Sequence, residues 1–563
     1  MFLILLSWIY ILFTTVNLGC FLDKILGLKV KNFTVISILG LLLTTIIASI
    51  WAIFGRINFE FHIAILLLNF VLFFSNKSAI VSIYRNFYFE IKNLQKSLKI
   101  FLGIITFFII AQCASIPYAI DNESYYIQSI KWINEFGFVK GLANIHFFLG
   151  QTSGWHIAQS AFNFSFLYDK FNDLSGFCLL LGNIFAIQKL NDFFKNQDKK
   201  NLIIGLFPLA NVFLFQFISA PSPDMPIYVF TFVIFAYFLE NHRKMNTEIF
   251  NIISILVLFS LYIKTTALGL CILPIIILLQ NYKEIKIYKI TSLSFIILAL
   301  FIAKNTIVTG YPLFPITQNF GFVSDYQIPE KIAVLYYSLT KYFAYSLTET
   351  QFNEMSTWEV FLRWISMPKL HGLFNKLSIF LVIFTPILIY KFLNQRRFWV
   401  LYFIMSVQLL LLFLSSPQYR FFMNFILFFS FLWIVIFISK KKQILILLAF
   451  STFATAFVLF VPINLKNLAR NEHAISTSNF SMKNIVFPYQ NSKYNTDFER
   501  VENEHFYYNS PTRIDFFWGT ANGEIPCVNK KQIDYFDQKY NVKPQMRSDN
   551  LKDGFYAKDT SKE

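Results

Sequence analysis

Charge is what this sequence has least of. Only 14% of its 563 residues are Asp, Glu, Lys or Arg, against about a quarter in soluble domains. A globule in water needs a polar coat, and this chain is 56% hydrophobic. It can coat itself only if lipid covers most of it. Cysteine is scarce too. Cys20, Cys113, Cys178, Cys271 and Cys527 stand at no spacing that suits zinc or a disulfide framework. No His/Asp cluster has metal-ligand spacing, no internal repeat recurs and no low-complexity segment stands out. The missing repeat disfavours the repeat-built transporters. The opening "MFLILLSWIYILFTTVNLGC" has no basic n-region, so it reads as a first spanning helix and not as a signal peptide.

What is present is phenylalanine, at 71 positions, and a mean hydropathy of +0.52. Apolar runs begin with 1–20 and end with 443–462, about 14 in all. Several fall short of the ~20 residues of a full span, as tilted partners or half-helices do. The expectation is an all-α polytopic membrane domain over 1–462, followed by a polar region over 463–563.

The net charge of +17 could point to nucleic acid, but its location argues otherwise. The tail from residue 463 holds 14 Lys/Arg and 13 Asp/Glu. The basic excess therefore lies among the apolar runs, in short clusters: Lys24 to Lys31, Lys77 to Lys99, Lys189 to Lys200, Arg243 and Lys244, Lys283 to Lys289, Lys391 to Arg397, and Lys440 to Lys442. Every second loop is basic, which makes those loops cytoplasmic. The loops at 119–173, 220–225, 304–376 and 415–420 and the tail then face outside, with both termini. So much one-sided loop suits an enzyme at the outer face better than a simple channel.

The first external loop begins with Asp121. The stretch "NESYYIQSIKWINEFG" repeats Ile127, Ile130 and Ile133 at threes, the pattern of an amphipathic interfacial helix with Trp132 at headgroup depth. Asp121 suits a helix N-cap as well as a catalytic acid. His146 suits a buried, hydrogen-bonded loop position as well as a ligand site, and Trp155 an aromatic belt. What sets them apart is their company, an acid at a membrane exit followed by "GLANIHFFLGQTSGWH".

In that constellation the chain resembles the GT-C class of polytopic glycosyltransferases, which use polyprenyl-phosphate-linked sugars. It is most similar to a poorly characterised bacterial GT-C-like membrane family with a "GLAN-H" loop. Asp121, Tyr125, Gly141, Leu142, Asn144, His146 and Trp155 stand where that pattern has such residues. Asn122 replaces the second acid that many members carry. The resemblance is strong over about 40 residues and fainter to residue 420. It implies a bacterial cytoplasmic membrane, a sugar donor on polyprenyl phosphate, and a glycan, lipid or protein acceptor. It also implies inversion at the anomeric carbon and a second site acid, for which "SAPSPDMP" offers Asp224.

Cations accompany the acids. "YIKTTAL" places Lys264 between two short runs, "AKNTIVTGYPLFP" opens the second large loop with Lys304, and "SSPQYRF" puts Arg420 at an outer helix end. Ionisable residues at membrane depth are functional candidates by default, although Lys264 could snorkel and Arg420 could anchor to lipid phosphate. A carboxylate such as Asp121 can take the proton of an attacking hydroxyl. Lys or Arg can stabilise the leaving phosphate, an effect worth on the order of 3–4 kcal/mol by analogy with an oxyanion-hole donor. His146 and Asp224 would position substrate. A divalent cation on Asp121 and Asp224 is possible chemistry for two hard oxygen donors, though no metal is assigned. Two other readings stay open: an O-antigen-type polymerase or ligase, drawing on Arg363 and His371, and a transporter or flippase without catalysis. The tail, with "RIDFFWGTANGEIPCVN", Tyr507–Tyr508 and Tyr535–Phe536, is expected to be a small ordered unit docked on the external loops.

Overall fold

The computed structural model describes residues 1–563 except 169, 171, 172, 319, 322, 466, 467, 469–472, 474, 475, 478 and 563, and the side chain of 562. The chain is mostly helical. Among the described residues, nine helices are long and apolar enough to cross a bilayer, from Phe2–Leu26 to Lys441–Phe460. Phe59–Ser75 and Lys77–Lys92 would make a tenth span but meet at 89°. Thr247–Ile263, Thr265–Asn281 and Met423–Phe437 are apolar and shorter. Large apolar side chains cover the outside of the bundle, among them Phe54, Phe74, Phe295, Phe450 and Phe453. Water does not tolerate so much exposed apolar surface in a monomer; lipid does.

The basic loops gather at one end of the bundle. Lys29 pairs with Glu248 at 2.5 Å, Lys189 with Glu240 at 2.5 Å, and Lys289 donates to the carbonyl of Ile25 at 3.0 Å. The helix Lys77–Lys92 belongs to this end. Ile80 and Ile83 are buried on one face, while Tyr88 and Phe89 stay exposed. Its charge makes this stretch read in the sequence as part of a basic loop, and its amphipathic burial makes it a helix.

The large loops gather at the opposite end. The second one starts later than expected, because the helix Tyr288–Thr309 carries on past Lys304 to Gly310, and the next long helix opens at Lys369. Between them lie three helices, Glu330–Tyr345, Glu349–Glu354 and Thr357–Ile365. The Trp364 indole donates to the carbonyl of Pro417 at 2.9 Å, which ties this layer to the turn that carries Arg420.

The tail is not helical throughout, which corrects the all-α expectation. Phe498–Asn503 pairs antiparallel with Phe506–Pro511, and Val542–Met546 with Phe555–Asp559, around the helix Lys530–Tyr540. Phe506, Ile533, Phe536 and Phe555 are buried in and under this unit. Alternation along Phe506–Pro511 buries Phe506 and Tyr508, the period of a half-buried strand. The unit docks on both large loops: Phe555 N–H donates to the carbonyl of Lys140 at 2.9 Å and Thr520 N–H to that of Glu123 at 2.7 Å in the first, and Arg547 pairs with Asp325 at 2.6 Å in the second. Gly141 sits at φ +62°, and a Cβ there would lie 2.1 Å from the Phe555 carbonyl oxygen. Only glycine allows that approach at a left-handed position.

Candidate functional site

Four charged side chains from four separate chain segments meet at the loop end. Asp121 follows the helix Lys96–Cys113 and immediately precedes a π-helical turn, Asn122–Tyr126. Such turns recur at functional positions. Asp224 is the first residue of Asp224–Asn241. Lys264 stands in extended backbone where Thr247–Ile263 stops and a 3₁₀ segment begins. Arg420 lies in the 3₁₀ turn Tyr419–Phe421 before Met423–Phe437. Each is therefore held at a break in helical structure.

Arg420 Nη1 donates to Asp121 Oδ2 and lies 4.0 Å from Asp224 Oδ2. Lys264 Nζ donates to Asp224 Oδ1. The Arg420 Nε–H is taken by Gln418 Oε1 at 3.1 Å, and the Tyr228 hydroxyl donates to the Arg420 carbonyl at 2.7 Å. Phe421 underlies both cations, 4.1 Å from Lys264 Nζ and 5.1 Å from the Arg420 guanidinium carbon, near enough for cation–π attraction.

The two acids differ in what they can still accept. Asp224 has 3% of its side chain exposed, and both oxygens face cations. Asp121 keeps 23% exposed. Its Oδ2 accepts from Arg420 and, at 3.5 Å, from the Tyr126 hydroxyl, while its Oδ1 has no hydrogen-bond partner among the described residues. Arg420 Nη2 is likewise without a protein acceptor there. One open acceptor and one open donor thus stand side by side, on side chains fixed by their other atoms. The N-cap alternative for Asp121 does not hold, since its side chain caps no helix amide.

A divalent cation fits this donor set poorly. Both carboxylates that would hold it are already neutralised by Arg420 and Lys264, and a dication would sit against both. Asn122, at the place of the second acid in the GT-C pattern, donates to Glu123 Oε1 and to the carbonyl of Asn491. Among the described residues no three His, Cys, Asp or Glu side chains come together as metal ligands do. The five cysteines are all unpaired.

The other sequence candidates lie around this cluster or away from it. Tyr125 is buried, and its hydroxyl donates to Gln151 Oε1 at 3.2 Å. Asn144 serves the backbone, donating to the carbonyls of Gly141 and Tyr326 at 3.0 and 2.8 Å. His146 lies in the docking seam of the tail. Its Nδ1 accepts from Phe148 N–H and its Nε2 faces the Trp518 carbonyl at 3.3 Å, and burial lowers its pKa to about 4. It is a neutral, satisfied histidine and not part of the charged group. Trp155 is wholly buried, with its indole on Ser175 Oγ at 3.1 Å, and Trp132 is buried against Phe555. Neither sits at a lipid interface. The helix Ile127–Phe136 does not lie on a membrane surface either, because Gln128 and Lys131 donate to the carbonyl of Gly523 and the tail covers that face. Lys304 is buried in its helix and donates to the Thr152 carbonyl at 2.5 Å. Of the polymerase pair, Arg363 is exposed on Thr357–Ile365, whereas His371 packs edge-on against Tyr419 at 4.8 Å.

Sequence reasoning missed Tyr126, His156 and Glu123. His156 is fully buried, 4.8 Å from the Tyr126 ring and 5.9 Å from that of Tyr125. Glu123 is fully buried as well. Its Oε2 accepts from Ser492 Oγ at 2.5 Å and its Oε1 from Lys493 N–H at 3.0 Å. Burial raises its pKa. A signal for His156 was available in the "SGWH" spacing, since Ser153 and His156 form a capping box.

The family model described as Domain of unknown function (DUF8201) matches residues 1–427, and the chain belongs to that family. The match takes in all four charged residues and stops short of the docked tail. No curated protein and no solved structure matches the chain.

Proposed function

We propose that this DUF8201-family chain is a GT-C-like membrane glycosyltransferase, moving a sugar from a polyprenyl-phosphate donor to a cell-envelope acceptor at the outer face of a bacterial cytoplasmic membrane. The observation that carries the reading is the geometry of Asp121. One carboxylate oxygen is anchored by Arg420 and the other is open, beside an unused guanidinium N–H. In this reading the acceptor hydroxyl approaches Oδ1. As its oxygen bonds to the anomeric carbon, its proton passes to Asp121, and the bond from that carbon to the phosphate oxygen breaks. The leaving isoprenyl phosphate keeps the bonding electron pair, and Arg420 Nη2 and Lys264 face the charge that develops. Asp224 holds Lys264 in place and balances Arg420. On this account Asp224 is a positioning residue.

The positive-inside rule places the basic end in the cytoplasm and the charged cluster outside. Among the described residues nine long apolar helices, or ten with the bent pair, support a multi-pass membrane chain. Arg363, exposed on Thr357–Ile365 and without an ion pair to the cluster, gives the polymerase reading little to stand on.

The test uses the full-length protein in lipid nanodiscs. It is offered farnesyl-phosphate-linked hexose, pentose and amino-sugar donors with envelope extract as acceptor, and free farnesyl phosphate is followed by mass spectrometry. Release by the wild type and none by Asp121→Asn supports the reading. An inert wild type across all three donor classes, or an active Asp121→Asn, refutes it.

A further inference from the structure

His156 carries a buried polar group near the cluster that the proposed chemistry does not use. Its Nδ1 accepts from the Ser153 amide at 3.3 Å, which leaves the ring proton on Nε2. That Nε2 is buried and has no hydrogen-bond partner. A buried donor without an acceptor costs stability, and native proteins keep few of them.

The neighbours of His156 are cationic and lead to the acid. Lys304 donates to the carbonyl of Thr152, one residue before Ser153. No carboxylate pairs with Lys304 among the described residues, whereas Lys264 and Arg420 both have one. On its other side the His156 ring lies against Tyr126, whose hydroxyl reaches Asp121. A lysine without a carboxylate partner and a neutral N–H donor without an acceptor therefore lie at neighbouring residues of one loop, and Tyr126 stands between the second and Asp121. The same surroundings keep the imidazole uncharged: burial first, then Lys304, press its pKa down to about 3.

We infer that His156 Nε2–H and Lys304 form an anion subsite that takes a phosphoryl oxygen, with His156 acting as a neutral hydrogen-bond donor. The two groups supply what such an oxygen needs, one charge and one directional bond. The inference rests on the cluster being a phosphate site, but not on glycosyl transfer.

The probe is farnesyl phosphate, titrated into the full-length protein in detergent, with farnesol and inorganic phosphate as comparison ligands. The expected result is saturable binding of farnesyl phosphate that equal farnesol does not displace. His156→Leu should weaken it by about tenfold or more, the size of one hydrogen bond to a charged group. His156→Gln keeps a donor and should stay within about threefold of wild type, and Lys304→Met should also lose affinity. Melting temperature guards against misfolding, and the Gln variant is informative even where Leu fails to fold. Inorganic phosphate that competes on equal terms supports the subsite with a free anion as occupant. Phosphate that does not compete supports it with a lipid ester. Farnesol binding as well as farnesyl phosphate, unchanged affinity in folded His156→Leu, or equal loss in Leu and Gln would each overturn it. Phosphate binding without any sugar transfer would fault the transferase reading alone.

Discussion

Arg420 reaches back 299 residues to hold one oxygen of Asp121 and leaves the other open. The same guanidinium lies 4.0 Å from Asp224, so one side chain orders both acids. Four helix breaks supply the four charges. Turned inward at these breaks, they avoid lipid, where charge is expensive.

Asp121 should be indispensable for turnover and dispensable for folding. Asp121→Asn keeps an oxygen for Arg420 but removes the proton acceptor. Sugar transfer should fall by at least about 10²-fold, the usual scale for a general base, while melting temperature changes little. Parallel turnover and thermal-shift measurements check both parts.

Asp224 and Lys264 should behave as a coupled pair. Lys264→Met leaves a nearly unexposed carboxylate with only the more distant Arg420, and should cost about 1–3 kcal/mol of stability. Adding Asp224→Asn should restore part of that loss. A double-mutant cycle on unfolding free energy measures the coupling, and strict additivity would show the two side chains to be independent.

Glu123 should make docking of the tail pH-dependent. Burial raises its carboxyl above the ordinary 4.5, so the docked state binds the proton more tightly than the released state. The stabilisation is then complete below pH 4.5 and is lost as pH rises through the raised value. Glu123→Gln mimics the protonated form and should flatten this dependence. Glu123→Ala strands Ser492 and the Lys493 amide and should weaken docking at every pH. The thermal transition of the protein, followed from pH 4.5 to 7.5, reads all three.

Topology has a direct readout. In a cysteine-free background, Arg513→Cys on the tail should react with an impermeant maleimide added to intact cells, and Lys96→Cys should react only after lysis. Both positions are exposed. Glu123, at the same end, is useless for this purpose because the tail buries it.

Much of the cluster was legible in the sequence because charge is so rare there. Asp121, Asp224, Lys264 and Arg420 each interrupt apolar sequence, and each drew notice alone. Which would pair was not legible, because pairing depends on how Asp224–Asn241 and Met423–Phe437 pack. Composition misled at Trp132 and Trp155. Tryptophan suits a membrane interface by type, but here Trp132 is buried against Phe555 of the docked tail and Trp155 within the first loop's packing. His146 takes the buried, hydrogen-bonded alternative, with a partner about 370 residues away along the chain that leaves no local trace. The two hairpins of the tail are hard to read for a local reason. Their strands are five or six residues long, and Phe498–Asn503 and Val542–Met546 do not alternate regularly.

The most direct test exchanges the two charges of the central pair. Asp121→Arg with Arg420→Asp preserves an ion pair but removes the acid from its place, and melting temperature and farnesyl phosphate release are measured together. Melting restored relative to either single variant, with no release of farnesyl phosphate, is the result this account predicts. Restored melting together with wild-type release would contradict it, because the pair would then be structural only.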